Sequence, residues 1–197
     1  MVFKLKWHTN KPGYGQRGFS LIELLVVTGI IVVISGVVLS SNLRFGGAIT
    51  LRNLAYEVAL SVREAQIFGI SVRRFGSENF TSGYGMHFRT SSPTSYIMFA
   101  DAVAQNGLYD GSEEIVESFS LGRGFEIIDL CVVIGIEPDE TCGISKIDIL
   151  FQRPEPDAQI RYDDGVSLNQ RARVVLRSPR GDIASVLVEA TGQISVQ

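Results

Sequence analysis

Histidine and cysteine are scarce, with two of each in 197 residues, and no aspartate or glutamate occurs before Glu23. A Ser-His-Asp site would rest wholly on His87 in "YGMHF", because the other histidine, His8, lies in a basic N-terminal stretch. Alternation around His87 marks it as a partly exposed strand residue. The chain is therefore expected to be no enzyme, with no catalytic residue, cofactor or metal centre. Basic residues are also in the minority, eighteen against twenty-one acidic ones for a formal charge of −3, which argues against a general polyanion binder. Internal repeats and low-complexity tracts are lacking too.

What the sequence does hold is one long apolar run, "RGFSLIELLVVTGIIVVISGVVL", from Arg17 to Leu39. About 20 apolar residues at about 1.5 Å each cover a hydrocarbon core of roughly 30 Å, so the run reads as a transmembrane helix. Before it stand Lys4, Lys6, Lys11 and Arg17 with no acid, which holds the N-terminus in the cytoplasm and sends the rest across. A cleaved signal peptide shares the basic start, but its apolar stretch is shorter and free of carboxylates. Here Glu23 sits inside the run, five residues after Gly18. Gly29 and Gly36 recur seven residues apart, which fits either a close helix contact or the ordinary glycine content of membrane helices.

"GFSLIELLVV" resembles the N-terminal cleavage and methylation motif of type IV pilins and type II secretion pseudopilins. The resemblance implies that a prepilin peptidase cuts after Gly18 and that Phe19, the new first residue, is N-methylated. It also implies an assembly role for Glu23. Cleavage creates an ammonium with a pKa near 8, and a neighbouring subunit's Glu23 would neutralise it in an apolar filament interior. The plainer alternative is that Glu23 lies close enough to the interface to reach water. Without Lys4, Lys6, Lys11 and Arg17, fourteen basic residues face twenty-one acidic ones, a formal charge of −7.

Three regions follow: a cytoplasmic leader over 1–18, removed; a transmembrane or filament-core helix over 19–41; and an extracytoplasmic globular domain over 42–197. The domain opens on an amphipathic helix over about 48–72, where Leu51, Leu54, Ala55, Val58 and Val62 recur at three- and four-residue spacing, with Arg52, Glu57, Arg63 and Glu64 off that stripe. Gly46-Gly47 before it should bend or loosen the helix, at about 1 kcal/mol per glycine. Strands are expected at 84–88, 95–100, 125–134, 146–151, 171–177, 184–189 and 193–196, the last two forming a hairpin about Thr191-Gly192. The fold class is α+β, with one long helix packed on antiparallel sheet. The "REAQ"-bearing helix, β-rich middle and C-terminal hairpin resemble the H-type pseudopilins and related minor pilins.

Cys131 and Cys142 suit a disulfide outside the cytoplasm, worth about 3 kcal/mol for a loop of this length, or two buried thiols. Asp101, Asn106, Asp110, Glu113 and Glu114 offer oxygens to a calcium ion, but their spacing is not that of an EF-hand loop, and Asn106-Gly107 and Asp110-Gly111 are turn dipeptides. "RGD" at 180–182 and "NFT" at 79–81 are read as turn or loop. Arg171, Arg173 and Arg177 share one face of a strand, where they could contact phosphates or form a solvated or salt-bridged surface.

The resemblance implies a structural subunit, a minor pilin or pseudopilin, of a type IV pilus or type II secretion filament. The alternatives are a DNA-binding minor pilin for DNA uptake and a membrane-anchored adhesin or sensor. Implied partners are other pilin-like subunits, a prepilin peptidase, an inner-membrane assembly platform and membrane lipid before assembly. The implied location is the bacterial inner membrane, with a single pass and then the filament.

Overall fold

The computed structural model describes residues 18–71 (backbone only at 41–46), 73–76, 82–133, 139–163, 165 and 169–197. Residues 1–17 with His8, the "NFT" string and residues 134–138 between the cysteines lie outside these. The chain divides into two compact units, Met1–Asn42 and Leu43–Gln197.

One helix, α1 (Leu21–Ile70), contributes to both. It continues as helix through Gly46 and Gly47, so the expected loosening does not interrupt it. A local reason exists at Gly47, where a Cβ would lie 3.2 Å from Asp182 Oδ2 and 3.4 Å from Arg180 Cδ. The missing side chain lets the "RGD" turn approach the helix backbone, and that tertiary contact overrides a weak local propensity.

In the second unit, α1 is followed, among the described residues, by ten strands: β1 (Gly83–Arg89), β2 (Ser95–Asp101), β3 (Ile115–Ser120), β4 (Glu126–Val133), β5 (Glu140–Cys142), β6 (Lys146–Phe151), β7 (Ala158–Tyr162), β8 (Arg171–Arg177), β9 (Ile183–Glu189) and β10 (Ile194–Val196). They form two antiparallel sheets in the orders β3-β2-β1-β6-β7 and β10-β9-β8-β4-β5. This is the expected α+β class, an apolar helix and then a helix packed on antiparallel sheet. Three strands were not anticipated: β3, β5 and β7.

One core joins the helix to both sheets. Leu51, Ala55, Val58, Val62 and Ala65 of α1 pack in the same buried cluster as Met86 and Phe88, Ile147 and Ile149, Leu130 and Val132, and Val174 and Val186. Arg52, Glu57, Arg63 and Glu64 are exposed, so the stripe drives the docking. At its C-terminal end, buried Gln66 of "REAQ" donates through Nε2 to the carbonyls of Pro156 (2.7 Å) and Gly192 (3.1 Å), while Arg63 donates to its Oε1. A single amide thus ties helix, the 152–157 loop and the β9–β10 turn.

Gly192 in that turn has φ +80°. A Cβ there would fall 2.2 Å from the Pro156 oxygen and 2.5 Å from Gln66 Nε2. Gly192→Ala is therefore expected to lose ~2 kcal/mol or more, from left-handed strain and displacement of the Gln66 bonds. Thermal melts of the full chain in detergent micelles check this.

The middle strands β1 and β6 of the first sheet are buried on both faces. Opposite the core, register brings His87 of β1 between Ile97 of β2 and Asp148 of β6, and Asp148 opposite Arg161 of β7. Segment 102–114 is strapped over this face. Tyr109 packs on the rings of His87 and Phe99, with centroids 4.7 and 5.8 Å apart. The strap is held from beneath by two buried acids. Glu114 accepts the amides of Ala102, Val103 and Asp110, and Asp101 accepts those of Asn106 and Gly107.

Candidate functional site

Gly18, Phe19 and Glu23 stand at the start of α1. Phe19 is 78% exposed, and a Cβ on Gly18 would meet nothing within 4 Å among the described residues. The helix begins where it does because Ser20 caps it. Its Oγ accepts the Glu23 amide at 3.3 Å, and its carbonyl takes the first helical bond, from Leu24. "SLIE" is thus a capping-box sequence, a helix-start signal masked in sequence by the apolar run around it. It places the Glu23 carboxylate in the first turn, where the helix dipole favours negative charge.

Beyond the cap, Leu21–Ser40 is a 20-residue candidate span with mean hydropathy 2.7, none of it buried among the described residues. Leu24, Leu25, Ile31, Val33 and Val38 are all more than half exposed. A helix apolar all round, without cover of its own, needs lipid or other helices around it. Gly29 and Gly36 leave open space where a partner helix can approach.

The other predicted residues lie in the second unit. Cys131 and Cys142 form a disulfide between registered positions of β4 and β5. Arg171, Arg173 and Arg177 do lie along β8, and each is met by a carboxylate from elsewhere in the chain. Arg171 binds Glu189 at 2.9 Å, Arg173 binds Glu140, and Arg177 Nε donates to Glu126 at 3.0 Å. The arginine face therefore carries its own counter-charges. "RGD" forms the β8–β9 turn, closed by the Ser178 amide on the Asp182 carbonyl at 2.9 Å.

His87 corrects the sequence expectation. It is 4% exposed rather than partly exposed, and its Nδ1 lies 2.7 Å from Oδ1 of Asp148, itself 2% exposed. The strap over the sheet, invisible to strand alternation, buries it. Burial pushes the Asp101 carboxyl up from its ordinary value, with the Gly107 amide opposing. Burial likewise lowers Arg161, while Asp101 and Asp148 favour its charge. Of the acids that invited a calcium reading, Asp101 and Glu114 are turned onto backbone amides and Asp110 accepts from the Asn106 side chain, which supports the turn reading.

Residues 14–39 match the family model described as the prokaryotic N-terminal methylation motif. The chain thus carries the N-terminus of a prepilin-like precursor, of the type IV pilin and pseudopilin kind, and this with its apolar helix fits membrane anchoring. No curated protein and no solved structure matches it.

Proposed function

We propose that the chain is a non-enzymatic structural subunit, a minor pilin or pseudopilin, of a type IV pilus or type II secretion filament. The observation that carries this reading is the methylation motif over 14–39, set on a helix that is exposed and apolar on every side. In this reading a prepilin peptidase cuts after Gly18, Phe19 is N-methylated, and the 19–41 helix waits in the inner membrane until an assembly platform passes it to other pilin-like subunits. The globular unit lies on the extracytoplasmic side.

A second feature supports assembly. Ile49, Tyr56, Leu60 and Ile67 are 47–67% exposed on α1, and at ~100° per residue they fall within about 40° of one another, opposite the core stripe. Large apolar side chains aligned on a solvent face suit a neighbouring subunit. The ion pairs of Arg171, Arg173 and Arg177 give the DNA-binding alternative no support.

The test is the mature N-terminus. Intact mass and N-terminal sequencing of protein recovered from its native membrane should give a chain beginning at Phe19 with a methylated amine. A chain beginning at Met1, or cut near Ser40, would overturn the reading.

A further inference from the structure

Among the four sheet edges, β3 offers the longest open one. β5 and β10 span three residues each, and the Ile160 carbonyl of β7 is taken by the amide and Nδ2 of Asn169, at 3.1 and 3.0 Å. Just past β3, the Leu121 amide donates to the Thr94 carbonyl at 2.9 Å, and two residues along the same pair Phe119 stands opposite Tyr96. Alternation in an antiparallel pair then turns the N–H and C=O of Phe119 inward onto β2, and those of Ser118 and Ser120 off the sheet. Glu117, Ser118 and Ser120 are exposed, and among the described residues no bond from beyond β2 reaches the backbone of Ser118 or Ser120. A bare edge of this kind is a template for one more strand.

The side chains along the edge define what that strand carries. Phe88, Tyr96 and Phe119 stack in a row from β1 out to β3, with centroids 5.4 and 4.9 Å apart, and the row stops at half-buried Phe119. An aromatic ring opposite Phe119 extends it. Two acids stand beside the row. Burial raises the Tyr96 phenol above its ordinary range, the Ser61 bond opposes this, and Glu57 and Glu117 add to it. Both carboxylates thus act on one hydroxyl, which α1 holds through Ser61 Oγ at 3.2 Å. Neither acid is in an ion pair among the described residues. A cation opposite Glu117 supplies the missing counter-charge.

We propose that β3 binds an extended segment of another polypeptide, added antiparallel as a further strand, with an aromatic residue opposite Phe119 and Lys or Arg opposite Glu117. Antiparallel pairing is the pattern of both sheets, and it fixes the order as aromatic, any residue, cation. In this chain that order occurs only at Phe151, Gln152 and Arg153, and Phe151 is wholly buried in β6. The partner is therefore a different polypeptide and not a second copy. The proposal is independent of the filament reading, since it concerns only the second unit.

The experiment titrates the full chain in maltoside micelles into a fluorescein-labelled peptide, Thr-Thr-Phe-Thr-Arg-Thr, followed by anisotropy. The peptide should saturate one site per chain. N-methylating the threonine between Phe and Arg, whose amide faces Ser118, should weaken binding about tenfold or more, while N-methylating Arg, whose amide faces away, should change it by less than about twofold. Glu117→Gln should weaken it about twofold to fourfold. Ser118→Pro removes an N–H that faces solvent at an edge, so it should keep the wild-type melting temperature and yet bind about tenfold more weakly. Arg177→Gln, on the other sheet, should bind like the wild type. No saturation below the millimolar range, equal effects of the two N-methylations, or unchanged affinity in Ser118→Pro would each overturn the proposal. Self-association of the chain that the peptide displaces would put a second copy on the edge and overturn the choice of partner.

Discussion

Glu23→Val is expected to insert and be cleaved like the wild type, and yet to enter filaments at a small fraction of the wild-type level. Removing a carboxylate from an apolar helix does not hinder insertion, since an unpaired charge in a membrane costs about 2.5–3.5 kcal/mol on insertion scales. In the proposed filament the loss would fall on the neighbour, whose N-terminal ammonium would be left without a counter-charge. About 3 kcal/mol per contact is roughly a hundredfold in an association constant. Because Glu23 also stands at the acid position of a capping-box sequence whose Ser20 accepts its backbone amide, Glu23→Gln separates the two roles, keeping a polar group at that helical position while removing the charge. Filament incorporation at matched membrane levels should fall for both variants. Recovery in Gln alone would make Glu23 a helix cap, and undiminished incorporation of Val would make it a tolerated interfacial residue.

Asp148→Ala should be the most damaging change in the globular unit. It strips the acceptor from His87 Nδ1 and removes one of two carboxylates favouring the charge on Arg161, at a site 2% exposed. Breaking such a buried pair from one side costs about 3–5 kcal/mol, on the order of 10 °C in melting temperature for a domain of this size. The same reasoning predicts partial recovery in the double variant His87→Leu, Asp148→Leu, because His87 is no longer an orphaned partner while Arg161 still has Asp101. A melting temperature in Asp148→Ala within a few degrees of wild type would show that the pair contributes little.

The processing signal was legible because its chemistry is contiguous: a glycine, an aromatic and an acid at fixed offsets before an apolar run. The central strands were legible for a related reason. β1, β2, β4, β6, β8 and β9 each have a neighbour on both sides, and the burial this brings leaves apolar or β-branched runs in their sequences. The strands that escaped, β3, β5 and β7, are all sheet edges. "IVESFS", "ETC" and "AQIRY" carry too few apolar residues to mark them. β10 is also an edge, and was found only through its turn.

The burial of His87 was not legible for a different reason. The strap that covers it is rich in turn residues and has no period, and the acids that hold it, Asp101 and Glu114, look in sequence like exposed polar residues. Partners distant in the chain hid the salt bridges as well. Arg171, Arg173 and Arg177 find Glu189, Glu140 and Glu126 at separations of 18, 33 and 51 residues.

The seam between α1 and the sheets also has a mechanical meaning. Tension applied along the helix axis from its N-terminal side reaches the globular unit through Leu51, Ala55, Val58, Val62 and Ala65, which lie in one line on the core. Such a pull loads these contacts in shear, all together, instead of peeling them one by one. The Gln66 amide at the far end, clamped to two carbonyls of separate loops, acts as the last anchor. In the proposed filament, a subunit held in this way would transmit traction to its neighbours before its own core gave way.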